Sequence, residues 1–334
     1  MDNLLKYNDI HRGLHRWYTA HGRKTLPWRT TVDPYAIWVS EVMLQQTQVK
    51  TVLDRFYFPF LESFPSITAL AAAKESQVMK AWEGLGYYSR ARNLHKAAKA
   101  VLLNHQGKLP DRADALLALP GIGQNTAHAI LAFAFHTPAP VMEANVKRVL
   151  CRFFALEHPT PTALWEKATE LLDTQKPFDY NQAMMDIGAT VCTKRDPACA
   201  VCPLSSLCVG KTDPGRYPVA KKKKTPPVRE SVIVLFTNEE GKIYSEAREG
   251  KFLGGLYGFK EFEAGKPVVF QNKRYQPGDL IALGNISHSY SHFTLKAEVL
   301  RATVEATGKN WHHFHSFENL ALSEADRKAL ALYR

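Results

Sequence analysis

The stretch LALPGIGQNTAHAI, residues 117–130, places a short turn with Gly121 and Gly123 between two apolar helical segments. Glycine adopts left-handed backbone angles and lets the backbone approach a ligand closely. The second helix begins just after Gly123, so the unpaired N–H groups of its first turn and the positive end of its dipole point outward. The stretch therefore predicts two helices joined by a turn that can hold a phosphate without reading a sequence.

This pattern is typical of a helix-hairpin-helix element that contacts the DNA backbone, with Gly121, Gly123, Asn125 and Thr126 as the candidate contacts. An ordinary turn between two helices would also explain the glycines. The chain has 43 Lys and Arg against 32 Asp and Glu, a formal charge of +11. That excess favours an anionic partner, with nucleic acid as the leading candidate.

The residue pattern divides the 334-residue chain into three parts. Apolar residues recur at helical spacing up to about Cys208, which predicts a helical domain over 1–211. Residues 212–230 are rich in Pro and Gly and contain four consecutive lysines, which predicts an exposed basic linker that could dock repair or replication proteins. Residues 231–334 alternate β-branched and aromatic residues between turns and end in a helix, which predicts a small α+β domain.

Four cysteines lie close together, with the spacing Cys192-x6-Cys199-x2-Cys202-x5-Cys208. Structural zinc sites usually combine two short Cys knuckles, and only one is present here, whereas a compact, asymmetric array is also typical of a [4Fe–4S] cluster. The spacing differs from that of ferredoxin electron carriers, so a structural role is favoured over a redox role. Unrelated buried thiols are the remaining interpretation.

The N-terminus lacks a cationic start followed by an apolar core, and no run approaches the roughly 18 apolar residues that span a bilayer. The sequence therefore predicts a cytoplasmic protein without a membrane segment.

The glycine hairpin and the cysteine array together resemble the endonuclease III superfamily of DNA glycosylases. Further segments resemble the MutY adenine DNA glycosylases: LPWR (26–29), SEVMLQQTQV (40–49), GLGYYSRARNLHKAA (84–98) and NQAMMDIGA (181–189). The resemblance implies hydrolytic removal of adenine mispaired with 8-oxoguanine, or with guanine, from double-stranded DNA. It also implies a [4Fe–4S] cluster, and we expect a monomer that works at the bacterial nucleoid.

The resemblance assigns catalytic roles to Glu41, Glu143 and Asn145. An acid should protonate the departing base, and a carboxylate should stabilise the oxocarbenium-like sugar. The apolar helix around Glu41 should raise its pKa by desolvation. Glu143 replaces the aspartate of the family and Ala144 its glycine; the extra methylene moves the carboxylate by about 1 Å. A working stabiliser, a weakened enzyme, and changed specificity or lost activity all remain open.

Asn125 stands where bifunctional relatives carry a lysine nucleophile and where MutY proteins usually carry serine or tyrosine. Without an amine no Schiff base can form, so the resemblance implies a monofunctional glycosylase. His128 replaces a glycine of the family and is interpreted as a packing or phosphate-side residue.

Six further residues match positions that recognise the adenine or the duplex. Leu26 and Trp28 would form walls of the adenine pocket, and Arg29 and Gln182 would contact the flipped base. Gln46 and Tyr87 would enter the duplex beside the lesion, where an aromatic ring can stack on a base.

The last domain resembles the MutT-like (Nudix-type) domain of the same family, through FLGGLYGFKEF (252–262) and HSYSHFTL (288–295). The resemblance places Ser291 and His292 against 8-oxoguanine, with Tyr290 packing beneath them. The domain lacks the acidic Nudix array that holds Mg²⁺, so we interpret it as a lesion reader and not as a hydrolase.

Two alternatives compete with an adenine glycosylase. One is a DNA-binding protein that recognises the lesion pair but no longer cuts, because Glu143 and Ala144 depart from the family. The other is an endonuclease III-like pyrimidine glycosylase with lyase activity, which Asn125 and the C-terminal domain oppose.

Overall fold

The computed structural model describes residues 2–219 and 225–333, with side chains from residue 7 onward. The predicted lysine run, 221–224, lies outside these residues. Internal contacts divide the described chain into two compact units. The first unit comprises the described residues of 1–57, 64–71 and 96–222, and the second those of 58–63, 72–95 and 223–334.

Helices follow one another along the first 190 residues, as the apolar spacing predicted. They are α1 (Asp2–His21), α2 (Pro34–Leu44), α3 (Val49–Arg55), α4 (Tyr57–Ser63), α5 (Ile67–Ala72), α6 (Glu75–Ala81), α7 (Ser89–His105), α8 (Ala113–Leu117), α9 (Gln124–Ala134), α10 (Ala144–Phe153), α11 (Pro161–Leu171) and α12 (Pro177–Thr190).

Helix α2 carries Glu41, and its start is fixed by local sequence. The Asp33 carboxylate accepts hydrogen bonds from the backbone N–H groups of Tyr35 and Ala36 at 3.1 and 3.3 Å, and Pro34 occupies the first helical position. Both features are standard helix-start signals. The buried Ile37 of α2 packs in one cluster with Phe133 of α9, so α2 lies against the helix of the glycine hairpin.

A larger apolar cluster joins α1, α10, α11 and α12. It contains Leu14, Leu150, Leu171 and Ile187, each no more than 1% exposed. Burying side chains of this size stabilises a fold by roughly 2 kcal/mol each. This cluster fixes α10, and therefore the residues at its N-terminus, against α12.

The second unit contains the strands β1 (Val228–Thr237), β2 (Ile243–Tyr244), β3 (Glu246–Ala247), β4 (Tyr257–Gly258), β5 (Lys260–Glu263), β6 (Val268–Phe270), β7 (Lys273–Tyr275), β8 (Ile281–Ser289), β9 (Thr294–Thr303) and β10 (Trp311–His312). The main sheet has the order β10-β2-β1-β9-β8, with β5 also paired to β1. Strands β1 and β9 are parallel, and β8 pairs with β9 antiparallel.

Helix α13 (Glu324–Ala331) packs on this sheet through Ala329 and Leu330, in one cluster with Ile233 and Val299. An apolar helix stripe covering one face of a mixed sheet is an α+β arrangement. The predicted fold class, a mainly α domain followed by a small α+β domain, is confirmed. Among the described residues, none of the helices combines the length and apolarity that crossing a bilayer requires.

Candidate active site

Two carboxyl groups of the first unit, Glu41 and Glu143, lie within each other's electrostatic field. The pKa of Glu41 is raised to about 7, first by burial in α2 and then by the nearby Glu143 carboxylate, while Arg29 offsets part of that rise. Desolvation penalises the charged form of a carboxyl group, and a neighbouring negative charge does the same. The elevated pKa predicted from the apolar stretch around Glu41 is confirmed.

Glu143 occupies the residue position just before α10, and its side chain makes no capping hydrogen bond to that helix. Burial raises the pKa of Glu143 above its ordinary value. The hydrogen bond from Asn145 and the positive charges of Arg23, Arg148 and Arg29 offset part of that rise. The Asn145 amide Nδ2 donates to Glu143 Oε1 at 3.1 Å. This carboxyl group therefore has more stabilisation of its charged form than Glu41 has.

A chain of hydrogen bonds leads from Glu143 to the cysteine loop. Arg148 Nη2 donates to Asn145 Oδ1 at 3.0 Å, and Arg148 Nε donates to the Cys192 carbonyl at 2.9 Å. Close approach of α10 and α12 depends on Gly188, because a Cβ there would lie 2.7 Å from the Cβ of Asn145. The Asn145 side chain, which donates to Glu143, is therefore held by Arg148 on one side and by the close packing of α12 at Gly188 on the other.

Arg29 forms a buried ion pair with Asp186. Its Nη1 and Nη2 donate to the two Asp186 carboxylate oxygens at 2.7 and 3.0 Å, and both side chains are at most 2% exposed. Arg23 Nε donates to the same carboxylate at 2.8 Å. A two-point guanidinium–carboxylate pair is among the strongest polar contacts in proteins. Both terminal nitrogens of Arg29 thus already donate to Asp186 when no base is bound.

The other residues predicted for the adenine pocket lie in the same unit. Trp28 is buried and meets Tyr57 edge to face at 5.2 Å, while Leu26 beside it is half-buried. Gln182 is 2% exposed. Its Oε1 and the Nε of Arg29 are buried without a hydrogen-bond partner among the described residues. Buried polar groups are rarely left unpaired, which makes both atoms candidates for a ligand contact.

The glycine hairpin has the predicted geometry. Gly121 has a φ of +76°, and α9 begins directly after Gly123, at whose backbone an added Cβ would meet no described atom within 4 Å. The hydroxyl of the buried Thr126 accepts a hydrogen bond from Gln45 Nε2 at 3.2 Å. Asn125 also points inward, since its Oδ1 accepts from the Met142 N–H at 2.7 Å.

His128, for which a packing or a phosphate-side role was predicted, makes two contacts within the first unit. Its Nδ1 donates to the Pro140 carbonyl at 2.9 Å, and its ring meets Trp165 edge to face at 5.1 Å.

The four clustered cysteines are free thiols that line one hollow just after α12: Cys192, Cys199, Cys202 and Cys208. Burial and the proximity of the other three raise the pKa of Cys202 to about 11. Arg152 Nη1 donates to the sulfur of Cys192 at 3.3 Å. Within the described residues, no three His, Cys, Asp or Glu side chains converge closely enough for a single metal ion.

In the second unit, Tyr290, Ser291 and His292 line a hollow of about 600 Å³ together with Tyr87 and Phe252. Tyr87 is 44% exposed and has a φ of +49°. The Phe252 ring meets those of Tyr290 and His292 edge to face, at 5.1 and 5.0 Å. The structure thus brings the predicted wedge residue Tyr87 together with the three predicted lesion contacts.

Gln46, the other predicted wedge residue, lies in the first unit. It is exposed and has a φ of +58°. Left-handed angles are uncommon for residues other than glycine.

Comparison with known proteins identifies the family. Residues 39–174 match the HhH-GPD superfamily of base excision DNA repair proteins, and residues 232–332 match the NUDIX domain. The chain is 35% identical over 290 residues to the adenine DNA glycosylase of Buchnera aphidicola subsp. Baizongia pistaciae, covering 84% of this chain and 82% of that protein. The chain belongs to the adenine DNA glycosylase family.

Other relatives agree with this placement. The adenine DNA glycosylase of Mus musculus is 32% identical over 395 residues, covering 95% of this chain and 76% of that protein. A thermostable thymine-DNA glycosylase of known structure is 29% identical with a TM-score of 0.57, covering 62% of this chain and 98% of that one. As a member of this family, the protein is a DNA N-glycosylase of base excision repair.

The sequence did not indicate a role for several residues near the two carboxyl groups. Asp186 and Arg23 lie far apart in sequence, and Arg148 reads as an ordinary cation on a helix surface. In the second unit, Phe252 lies in the hollow beside Tyr290, and the sequence indicated no role for it although it begins the segment FLGGLYGFKEF. An acidic residue in an otherwise apolar helix, as in NQAMMDIGA, was the one available signal for Asp186.

Proposed function

We propose that the protein hydrolyses the N-glycosidic bond of adenine paired with 8-oxoguanine, and with guanine, in double-stranded DNA, with Glu41 as the acid. The observation that carries this proposal is the pair of neighbouring carboxyl groups, one of which has a pKa of about 7. A carboxyl group with that pKa is half protonated at neutral pH and can give up its proton in the reaction.

In the proposed reaction, Glu41 protonates the adenine as the C–N bond breaks, and the bonding electrons leave with the base. The sugar carbon becomes oxocarbenium-like and is stabilised by the Glu143 carboxylate, which Asn145 orients. Water then adds to that carbon and releases one proton. Because Asn125 offers no amine, no Schiff base forms and the DNA strand stays intact.

The adenine itself would lie between Leu26, Trp28 and Gln182. The unpaired Gln182 Oε1 is suited to accept a hydrogen bond from the exocyclic amine of adenine, and Arg29 Nε can donate to a ring nitrogen. The two terminal nitrogens of Arg29 stay on Asp186 and hold the guanidinium in place. Base flipping into such a pocket is the general strategy of glycosylases.

Recognition of the opposite base is assigned to the domain over 231–334. Ser291 and His292 provide polar groups in the hollow where Tyr290 and Tyr87 provide aromatic surface. An oxidised purine offers both a flat ring for stacking and extra polar edges for hydrogen bonds. Gln46 would enter the duplex from the first unit.

The four thiols suit a [4Fe–4S] cluster. They line one hollow just after α12, and a compact array of four thiolates is a usual ligand set for such a cluster. It would hold the loop rigid and present Lys194, Arg195 and Lys211 to the DNA backbone, alongside the open amides after Gly123. We also propose that the protein works at the bacterial nucleoid, in the cytoplasm, and that the basic linker over 212–230 binds repair or replication proteins.

A single-turnover assay on a duplex with one 8-oxoguanine:A pair tests the function. We expect abasic sites that require alkali to break the strand, lost in Glu41→Gln and retained in an exposed control, Asn104→Ala. Tight binding without excision, restored by Glu143→Asp, would identify instead a lesion-binding protein whose catalysis was lost with the aspartate.

A further inference from the structure

The residues that lead into Glu143 form a buried connection without regular structure. Residues 139–142 lie between α9 and α10, and Ala139 and Val141 are 5% and 2% exposed. Buried backbone N–H and C=O groups must find partners, since an unpaired one costs about as much as a lost hydrogen bond. A strand or helix would supply those partners internally, and this segment has neither.

Side chains from two helices supply the partners instead, one residue after another. Asn181 of α12 donates from Nδ2 to the Ala139 carbonyl at 2.9 Å and accepts from the Val141 N–H at 2.8 Å.

The other two partners come from α9. His128 Nδ1 donates to the Pro140 carbonyl at 2.9 Å, and Asn125 Oδ1 accepts from the Met142 N–H at 2.7 Å. A carbonyl oxygen can only accept, so His128 carries a proton on Nδ1. Its ring is held from the other side by Trp165, whose edge-to-face contact fixes the direction of that N–H.

Glu143 follows Met142 directly, so their Cα atoms lie about 3.8 Å apart. The backbone N–H of Met142 donates to Asn125, which fixes Met142 next to Glu143. The Glu143 side chain makes no capping bond to the first turn of α10. The carboxylate position therefore depends on the backbone of residue 143 and on the one bond from Asn145. A shift of the preceding segment would move the carboxylate with it.

We propose that Asn125 and His128 are positioning residues, a clamp on Met142 and Pro140 that acts beside Asn181 and places the Glu143 carboxylate for catalysis. The inference rests on the proposed role of Glu143 as the stabilising carboxylate. Both residues contact the segment that leads directly into Glu143.

A misplacement of about 1 Å can cost on the order of a hundredfold in rate, and glutamate reaches about that much further than aspartate. Removing one of two clamp points should therefore lower the excision rate by roughly tenfold. The affinity for DNA should be retained, because neither residue needs to touch the duplex for this role.

The test is a double-mutant cycle on single-turnover excision from an 8-oxoguanine:A duplex, with the dissociation constant measured in parallel. Asn125→Ala removes one clamp point. His128→Phe keeps a ring against Trp165 but removes the donor, and Asn104→Ala is an exposed asparagine control. Each change is made in the wild type and in Glu143→Asp.

We expect each clamp variant to lose about tenfold in rate in the wild type with its dissociation constant within about twofold. In Glu143→Asp the same changes should have a clearly smaller effect, because the shorter carboxylate is already misplaced. Equal losses in both backgrounds, or losses that follow the dissociation constant, would overturn the clamp. The two residues report independently if one variant fails to fold.

Two controls separate this inference from the proposed function. If Glu143→Ala abolishes excision while both clamp variants keep the wild-type rate, the clamp alone is wrong. If Glu143→Ala excises at the wild-type rate, the proposed role of Glu143 is wrong and the clamp falls with it.

Discussion

The pH dependence of excision depends chiefly on Glu41, whose pKa is raised from about 4.5 to about 7. At pH 7 a pKa of 7 leaves about half of the molecules with a protonated acid, whereas an ordinary glutamate would leave about one in 300. Desolvation and the charge of Glu143 therefore increase the reactive population by roughly 150-fold. The excision rate should fall about fiftyfold between pH 7 and pH 9.

The assay is single-turnover excision from pH 5 to pH 9 at saturating enzyme, so that binding does not enter the rate. The descending limb should have its midpoint near pH 7. A rate that is level from pH 6 to pH 9, with the duplex still bound, would refute the assignment of Glu41 as the acid.

The same pKa shift has a consequence for stability that needs no DNA. The native state holds the Glu41 proton more tightly than the unfolded chain does, and this difference adds to the free energy of unfolding. The added stability is complete below pH 4.5 and is lost as the pH rises through 7. In Glu41→Gln the loss disappears. Relative to the wild type, the variant should gain about 2–3 kcal/mol in free energy of unfolding between pH 5 and pH 8. Equal differences at both pH values in urea titrations would contradict this explanation.

Three other changes test separate parts of the structure. Asp186→Asn leaves the buried Arg29 guanidinium without its counter-charge and should lower the free energy of unfolding by about 3–5 kcal/mol, measured by urea titration at pH 7. His292→Ala should slow excision opposite 8-oxoguanine toward the rate opposite guanine and leave the latter rate unchanged; equal slowing on both duplexes would assign His292 a general role. Cys199→Ser should reduce the bound iron and weaken DNA binding while the pH midpoint of excision stays near 7, and undiminished binding by iron-depleted protein would argue against a structural cluster.

Features set by neighbouring residues could be predicted from the sequence. The start of α9 follows from Gly123 and the apolar spacing after it, and the raised pKa of Glu41 follows from the apolar residues on either side. In both cases the decisive interactions lie within a few positions along the chain. The fold class follows in the same way, because helical and strand periodicities occupy different parts of the sequence.

Features that depend on contacts between residues far apart in the sequence could not be predicted. Arg29 was expected at the base, and nothing near it in sequence indicates that Asp186, 157 positions away, occupies its two terminal nitrogens. Residues 212–230 were expected to form a linker, yet β1 begins at Val228 because its parallel partner is β9, with Val228 opposite Thr294. A strand that starts within a Pro-rich stretch becomes visible only when its partner is known.

By its resemblance to the family, the chain carries Glu143 at an aspartate position, and we expect the proposed division of roles between the two carboxyl groups to survive that exchange. Two carboxyl groups in one desolvated pocket cannot both ionise at low cost, so the group whose charged form has more support ionises first. Glu143 has the Asn145 hydrogen bond and three arginines, whereas Arg29 is the cation that lowers the pKa of Glu41. One additional methylene alters the reach of Glu143 but removes none of this support. We therefore expect Glu143 to ionise before Glu41, and the position of the Glu143 carboxylate is the quantity that Asn125 and His128 are proposed to control.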